Sequence, residues 1–236
     1  MPDPAAVAYL SGNQALVGPH ARSDQPVARD PAGRPMLALR TINHGESLAI
    51  PSSSDEGEFS AIDLDRAARL LRAAGGEEHP VDPRVLGLVY RIQTHFRVPE
   101  IRVVSGYRVP KPASRSNHGR GRAVDLIVPG IVDEDVAAFV RELGFVGVGI
   151  YPSSQFVHVD VRPRSYFWVD FSRPHARNRE HAILGDLAMK SDAAALDGGK
   201  LPIEPFGIVN DVEGALRTYG VPPGSPVAND DEEEDR

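Results

Sequence analysis

The stretch Phe156-Val-His-Val-Asp-Val-Arg162 alternates strictly between two kinds of side chain. In a β-strand, successive residues point to opposite faces of the sheet. The valines therefore share one face, and the other face carries Phe156, His158, Asp160 and Arg162. Three polar groups beside one aromatic ring make a poor core surface. We expect this strand to form the floor of a cleft.

Other β-rich runs and three amphipathic helices surround this strand. Strands are predicted over 36–42, 47–50, 101–104, 123–128, 145–151 and 166–171. Helices are predicted over 63–74, from 83 onward and over 133–143, because apolar residues recur there at helical spacing. Helices that precede clustered strands indicate an α+β fold. We expect a small, mainly antiparallel sheet flanked by two or three helices, with flexible N- and C-terminal extensions.

The chain divides into three parts by composition. Residues 1–35 are rich in Pro, Ala, Asp and Gln without periodicity, which predicts a flexible arm. The ordered domain is expected to span 36–181. Residues 182–236 are predicted to be an extension, in which 207–219 hints at one further element. Six consecutive acids at 230–235 predict a disordered acidic tail.

The composition narrows the chemistry that the chain can perform. It contains no cysteine, which excludes disulfides, thiolate metal sites and cysteine nucleophiles, so any metal site must use His, Asp and Glu. The net charge is −7, but 101–181 is basic, with twelve Lys and Arg against eight Asp and Glu. No apolar run reaches the ~18 residues that span a bilayer, and the start lacks a signal-peptide pattern.

Three residues stand out as candidate metal ligands. His118 lies in a glycine-flanked loop, and Asp125 lies on the strand that follows it. Loop glycines let the chain turn back, so these two side chains can meet at one ion. His158, on the cleft strand, is the third candidate. Two His and one Asp leave a fourth tetrahedral position for water, as in catalytic zinc sites.

The motif around these ligands resembles a known family. Ser116-x-His118-x-x-Gly-x-Ala-x-Asp125 is preceded by Ser105-Gly-Tyr-Arg108 and followed by Phe156-Val-His-Val-Asp160. This pattern is similar to that of the zinc peptidases that group D-alanyl-D-alanine carboxypeptidases with lysostaphin and the hedgehog domain. The murein endopeptidase K type is the most similar branch. The resemblance covers about 37–170. It implies that His118, Asp125 and His158 hold zinc and that Arg108 and Ser116 face the substrate.

Two of these residues have more than one possible role. Arg108 is a candidate donor to the oxyanion that develops in amide hydrolysis, a candidate binder of a peptide carboxylate, or a member of an ordinary ion pair. Ser116 orients a ligand, donates to substrate or caps the backbone.

The general base is open on the sequence alone. Carboxypeptidases of the group commonly place a glutamate three residues before the last histidine, where this chain has Gln155. Asp160, on the same strand face as His158, is the nearest substitute. It acts either as the catalytic base or as a carboxylate that orients a ligand.

Aromatic residues close to the motif are candidates for substrate contact. Tyr151 and Trp168 are placed in this group, with core packing as the alternative for Trp168. The remaining histidines have no partner spacing that suggests metal binding and are treated as non-ligands: His20, His44, His79, His95, His175 and His181.

The resemblance implies a zinc-dependent peptidase that hydrolyses amide bonds in peptidoglycan stem peptides or cross-links, as an endopeptidase or carboxypeptidase. The alternative is a non-catalytic, zinc-containing module that binds peptidoglycan or a protein. Peptidoglycan or muropeptides are the expected partners, and the periplasm or cell envelope is the expected location. Nucleic acid is not expected, because no pattern of interleaved basic and aromatic residues is present.

Overall fold

The computed structural model describes residues 14–112, 115–172 and 181–200. Its four α-helices are α1 (Ala61–Leu70), α2 (Pro83–Phe96), α3 (Asp133–Arg141) and α4 (Gly185–Asp197). Its eight strands are β1 (Met36–Thr41), β2 (Ser47–Pro51), β3 (Ile101–Ser105), β4 (Ala123–Ile127), β5 (Val146–Tyr151), β6 (Phe156–Val161), β7 (Tyr166–Asp170) and β8 (His181–Ile183). Short 3-10 helices span Gly18–His20 and Asn117–Arg120.

All eight strands form one sheet in the order β2-β1-β3-β4-β6-β5-β7-β8. β1 is parallel to β3 and β5 is parallel to β7, whereas the other neighbours are antiparallel. Helices α2 and α3 pack on β6, and the valines of β6 lie in the hydrophobic core with Leu126 and Val148. The opposite face of β4 and β6 carries Asp125 on the first of these strands and His158 and Asp160 on the second. The predicted alternation of the Phe156–Val161 strand is therefore confirmed.

The α+β class and the mainly antiparallel sheet are confirmed, and the predicted helices and strands are present with shifts of a few residues at their ends. Helix α1 ends at Leu70, earlier than the predicted 74, because a turn follows in which the Ala73 amide donates to the Glu77 carbonyl at 2.9 Å. Helix α2 begins where the Asp82 side chain accepts from the Arg84 amide and Pro83 occupies the first turn.

The sheet has one strand more than predicted, β8. This strand and helix α4 lie in the region where the sequence predicts only an extension. Strand β8 pairs with the outer edge of β7. Helix α4 is attached by Asp192, whose carboxylate accepts hydrogen bonds from the amides of Phe145 and Ser165, both at 2.8 Å. The element suggested at 207–219 lies outside the described residues.

The described part of the N-terminal arm, 14–35, lies against the domain, although its composition predicts a flexible segment. The Gln14 side chain accepts from the Asp133 amide at 2.8 Å and donates to the Asp133 carboxylate at 3.0 Å. Arg102 donates to the Pro19 carbonyl at 2.7 Å and also to the carbonyls of Gly18 and Ala21. These contacts between distant side chains and backbone groups leave no periodic signal in the sequence. No described helix is both long and apolar enough to cross a bilayer.

Candidate metal centre

The three predicted ligands meet at one point on the polar face of the sheet. His118 Nε2 lies 3.1 Å from His158 Nδ1 and 3.2 Å from Asp125 Oδ1, and His158 Nδ1 lies 2.8 Å from the same Asp125 oxygen. All three residues are buried. Among the described residues, they are the one group of His, Asp and Glu with the spacing to hold a metal ion. The structure thus brings together the three residues that the sequence predicts as ligands.

One row of residues across the sheet builds the centre. Asp125 on β4 lies directly opposite His158 on β6, and Gly149 on β5 lies opposite His158 on its other side. The row continues to Ser105 on β3, opposite Asp125, and to Trp168 on β7, opposite Gly149. Residues directly opposite each other in a sheet share a face. The five residues of this row therefore lie on the same face of the sheet.

A β-bulge aims Ser105 into this row. Val103 pairs with Leu126, but the next pair joins Ser105 to Asp125. The chain therefore advances by two residues on β3 and by one residue on β4. The extra residue moves Ser105 from the core face to the face of the metal ligands. The Ser105 hydroxyl there accepts a hydrogen bond from Arg108 Nε at 2.8 Å.

His118 reaches the row from the 3-10 helix Asn117–Arg120. The chain leaves this helix through Gly121, whose φ of +64° is in the left-handed region. A Cβ at Gly121 would lie 2.1 Å from the carbonyl oxygen of Pro80. The position therefore requires glycine for both its conformation and its close contact with the neighbouring loop. The glycine of the sequence motif thus sets the path from His118 to Asp125.

Hydrogen bonds fix which ring nitrogen of each histidine faces the centre. His118 Nδ1 lies 2.6 Å from the Gly106 carbonyl, which can only accept, so this nitrogen carries the proton in the neutral ring. His158 Nε2 lies 2.9 Å from the Asp160 carboxylate and is the donor there. The neutral rings therefore point lone pairs at each other across 3.1 Å, beside a carboxylate. A cation fits between these donors, and the set matches the His and Asp ligands of zinc.

The close approach of these ligands shifts the pKa values of Asp125 and His158. Burial disfavours the charged form of Asp125, but His118 and His158 outweigh it and hold the Asp125 pKa well below its usual value. Burial also lowers the pKa of His158, yet hydrogen bonds and charge from Asp125 and Asp160 raise it to about 9. In the absence of a metal ion, a proton on His158 relieves the repulsion between its Nδ1 lone pair and the facing His118 nitrogen and Asp125 oxygen.

Asp160 is fully buried behind His158 and is held from two sides. Arg162 Nε donates to Asp160 Oδ1 at 2.6 Å, and Arg162 Nη2 forms an ion pair with Oδ2, the oxygen that also accepts from His158. Burial opposes ionisation, but these donors lower the Asp160 pKa to about 2. Arg162 also lies 5.3 Å from the Tyr166 ring, which keeps its guanidinium in place.

Arg108 contacts the second oxygen of Asp125. Its Nη2 forms an ion pair with Asp125 Oδ2, while Asp125 Oδ1 faces the two histidines. Half of the Arg108 side chain is exposed, at 50%, against 2% for Asp125. Arg108 therefore lies at the boundary between the buried ligands and solvent. The ion-pair alternative for this residue is present in the structure.

Aromatic rings form the wall next to His158. The Trp168 ring lies 5.1 Å from the His158 ring and is only 7% exposed. Trp168 Nε1 donates to the Tyr151 hydroxyl at 3.2 Å, and Tyr151 stacks on Phe156 at 4.5 Å. Ser116 immediately precedes the 3-10 helix that carries His118, and its carbonyl accepts from the Gly119 amide at 3.1 Å. Gln155 lies in the β5–β6 turn with φ of +55°.

Two glycines of β5 are part of the centre, although sequence reasoning did not single them out. A Cβ at Gly147 would lie 2.2 Å from Asp160 Oδ2, and a Cβ at Gly149 would lie 2.3 Å from the Trp168 ring. Alternating glycines in the run Val-Gly-Val-Gly-Ile were the available signal, because glycine inside a strand marks the close approach of another group. The hydrogen bond between His118 and the Gly106 carbonyl and the ion pair between Arg162 and Asp160 were also not predicted from the sequence.

Comparisons with known proteins agree with this site. The family model described as peptidoglycan L,D-endopeptidase MepK matches residues 30–166. The chain is 34% identical over 142 residues to the "Probable peptidoglycan L,D-endopeptidase MepK" of Haemophilus influenzae, covering 54% of this chain and 76% of that protein. It is 27% identical over 147 residues to the "Peptidoglycan L,D-endopeptidase MepK" of Escherichia coli K12, covering 56% and 79%. No solved structure is significantly similar to the chain.

The matched segment contains four residues of the row, Ser105, Asp125, His158 and Gly149, together with the His118 loop and Asp160. Trp168, at the end of the row, lies just beyond it. The resemblance found in the sequence, to the murein endopeptidase K type, is confirmed. Because the family match spans more than half of its residues, the chain belongs to the MepK family of peptidoglycan L,D-endopeptidases.

Proposed function

We propose that this protein is a zinc-dependent peptidase that hydrolyses amide bonds in the stem peptides or cross-links of peptidoglycan. The observation that carries the proposal is the convergence of two histidine lone pairs and a carboxylate oxygen within 4.8 Å, in a chain of the MepK family. The relatives are named for action on peptidoglycan, which supports peptidoglycan of the cell envelope as the expected substrate. The three-residue ligand set also leaves a coordination position for water.

His118 Nε2, Asp125 Oδ1 and His158 Nδ1 would hold the zinc ion. When bound, zinc lowers the pKa of a coordinated water to about 7 and polarises a carbonyl group. The protein's own contribution is to hold the three donor atoms in place before the metal arrives. The Gly106 carbonyl does so for His118, and the Asp160 carboxylate does so for His158.

Arg108 is the residue that we assign to the substrate. It is permanently charged, half exposed and anchored by Ser105 and Asp125 at the edge of the centre. A guanidinium fixed at this boundary stabilises negative charge on the scissile carbonyl oxygen as that charge develops. The same position also suits a carboxylate of the peptide, and measuring KM and kcat separately distinguishes these roles.

We assign Asp160 a positioning role and not that of the general base. A base must be able to reach the attacking water, but both Asp160 oxygens already accept hydrogen bonds from Arg162 and His158. Its side chain is also inaccessible to solvent. Asp160 and Arg162 together hold His158 in the tautomer that directs Nδ1 to the metal. Trp168, packed on the same ring, limits its rotation.

The second candidate is a module that binds peptidoglycan or a protein without cleaving it. Two observations favour this candidate. Gln155 occupies the sequence position of the glutamate base of related carboxypeptidases, and Asp160 is engaged by Arg162. Both candidates share the metal site, so zinc content alone does not separate them.

The experiment that tests the proposal is digestion of purified sacculi and cross-linked muropeptides, with and without a chelator, with mass spectrometry of the products. Zinc-loaded wild type should release peptide products that the chelator abolishes. His118→Ala should lose both metal and cleavage, whereas His95→Ala, a substitution of an exposed histidine at the end of α2 and outside the centre, should lose neither. Stoichiometric zinc without chelator-sensitive products would contradict the peptidase and support the binding module.

A further inference from the structure

A separate cavity of about 470 Å³ opens beside the metal centre, between the end of α1, the β1–β2 turn and the segment 105–109. Its volume is within the range of small-ligand sites. Leu70, Leu71 and Val103 contribute to an apolar part of its lining. We call it the Arg108 pocket, because Ser105 and Arg108 line it and also belong to the centre.

The backbone around Gly106 and Tyr107 separates the pocket from the centre and is bound to the end of α1. The Tyr107 amide donates to the Leu71 carbonyl at 2.7 Å, and a Cβ at Gly106 would lie 2.5 Å from the same oxygen. The Gly106 carbonyl, on this segment, accepts from His118. A molecule in the pocket is therefore held against the segment that positions a metal ligand, so the pocket is placed to receive an extended substrate.

The charged residues around the pocket differ in whether they form ion pairs. Arg72 donates to both carboxylate oxygens of Glu46, at 2.8 and 2.7 Å, and Arg108 is paired with Asp125. Glu77 is different, because it has no ion pair with any residue in the described ranges. Glu77 therefore gives its side of the pocket an exposed carboxylate without an ion pair, which favours a cationic ligand group at that side.

Local structure holds the Glu77 carboxylate at the pocket wall. The Ala73 amide donates to the Glu77 carbonyl, closing the turn that follows α1. The carboxylate folds back over Gly75, since a Cβ there would lie 2.5 Å from Glu77 Oε2. Gly75 and Glu77 both line the pocket, beside its aliphatic residues. A ligand with an aliphatic stem and a terminal ammonium group complements this combination.

We propose that the Arg108 pocket is a subsite for the substrate peptide and that Glu77 selects a residue with a free amine on an aliphatic side chain. This inference deepens the proposed function and rests on it for the identity of the substrate. No bond is made or broken in the pocket. Glu77 acts by binding, so its effect appears in KM and in the affinity for the peptide.

The test compares muropeptides from diaminopimelate-containing peptidoglycan before and after acetylation of their free amines. For zinc-loaded wild type, acetylation should lower kcat/KM about three- to fivefold, the size expected for an exposed ion pair. Glu77→Gln should show no such difference between the two substrates. Glu78→Gln, which changes the adjacent carboxylate near Arg69, should behave as wild type. An equal effect of acetylation in all three proteins would overturn the proposal.

A second variant tests the shape of the pocket without changing charge. Ala74→Phe places a ring in the cavity and should raise KM at least about fivefold, with zinc content unchanged. Ala61→Phe, at the other end of α1 and outside the pocket, is the control. Unchanged KM in Ala74→Phe would also overturn the subsite.

Binding measurements keep this inference separate from the peptidase proposal. Calorimetry with wild type and Glu77→Gln, in the presence of chelator, reports the affinity for native and acetylated muropeptides without cleavage. Amine-dependent affinity that requires Glu77, in a protein that cleaves nothing, would support the subsite and contradict the peptidase. Chelator-sensitive cleavage with no amine preference would support the peptidase and contradict the subsite.

Discussion

Arg162 donates two hydrogen bonds to the buried carboxylate of Asp160, and Asp160 in turn accepts a hydrogen bond from the metal-facing ring of His158. Through these contacts, the charged pair of Arg162 and Asp160 orients the His158 ring. A buried ion pair adds little net stability by itself, because desolvation offsets its attraction. Its contribution here is the fixed tautomer and orientation of His158.

The first prediction follows from this arrangement. Asp160→Asn keeps an oxygen that can accept from His158 but removes the charge, so we expect zinc affinity to fall about 10- to 100-fold. Turnover at saturating zinc should stay within about tenfold of wild type. Zinc affinity by chelator competition and kcat on muropeptides are the two measurements. Complete loss of turnover with zinc still bound would instead identify Asp160 as the base.

The centre shows what a single sequence can and cannot reveal. His118, Asp125 and His158 could be predicted because side-chain type, strand alternation and motif spacing all point to them. The Gly106 carbonyl could not, since a backbone acceptor has no residue preference of its own. Ser105 reaches the ligand face only through a bulge, and a bulge depends on how β3 pairs with β4.

The fold has the same division between local and non-local information. Alternation and helical spacing identify most elements, because they reflect the periodicity of each element alone. The parallel pairing of β5 with β7 and the addition of β8 depend on contacts between distant segments. Helix α4 was missed because its small residues give a weak apolar stripe, and Asp192 attaches it to the domain.

The second prediction concerns Gly147, which leaves room for Asp160. Gly147→Ala would place a methyl group 2.2 Å from Asp160 Oδ2, so the carboxylate or the strand must move. We expect a loss of about 1–3 kcal/mol in the free energy of unfolding and weaker zinc binding. Urea denaturation and chelator competition measure the two effects. Gly185→Ala is the matched control, because a Cβ there meets nothing within 4 Å. Equal behaviour of the two variants would contradict the close approach.

The third prediction is that zinc affinity rises with pH. In the metal-free protein, Asp125 and Asp160 raise the His158 pKa to about 9, so the metal must displace a proton from His158 at neutral pH. The apparent affinity should therefore increase by about tenfold per pH unit between pH 6 and 8. Competition titrations with a chelator of known proton affinity measure this slope. A slope close to zero would show that His158 is already neutral in the absence of metal.

The fourth prediction concerns Asp133, a buried residue outside the metal centre that contacts the N-terminal arm. Its pKa is raised to about 7, mainly by burial and also by the charge of Glu134, while the hydrogen bond from Gln14 opposes the rise. Asp133 Oδ1 has no hydrogen-bond partner in the described part of the chain. Because its folded pKa lies above the unfolded value of about 4, the folded protein retains the Asp133 proton up to higher pH than the unfolded chain.

This proton retention makes Asp133 a source of instability as pH rises. Its effect is smallest below pH 4 and grows until the pH passes 7, reaching about 4 kcal/mol at most for a shift of this size. Asp133→Asn cannot ionise, so its free energy of unfolding should gain on wild type progressively between pH 4 and 7. Urea titrations across this range measure the difference in the free energy of unfolding between the two proteins. Asp125 and Asp160, whose lowered pKa values give the opposite pH dependence, are present in both proteins, so their contribution cancels. Asp135→Asn, an exposed change in the same helical turn, is the matched control. If Asp133→Asn shows a constant difference, the carboxyl group is ionised in the folded protein throughout, and the contact with Gln14 does not depend on its proton.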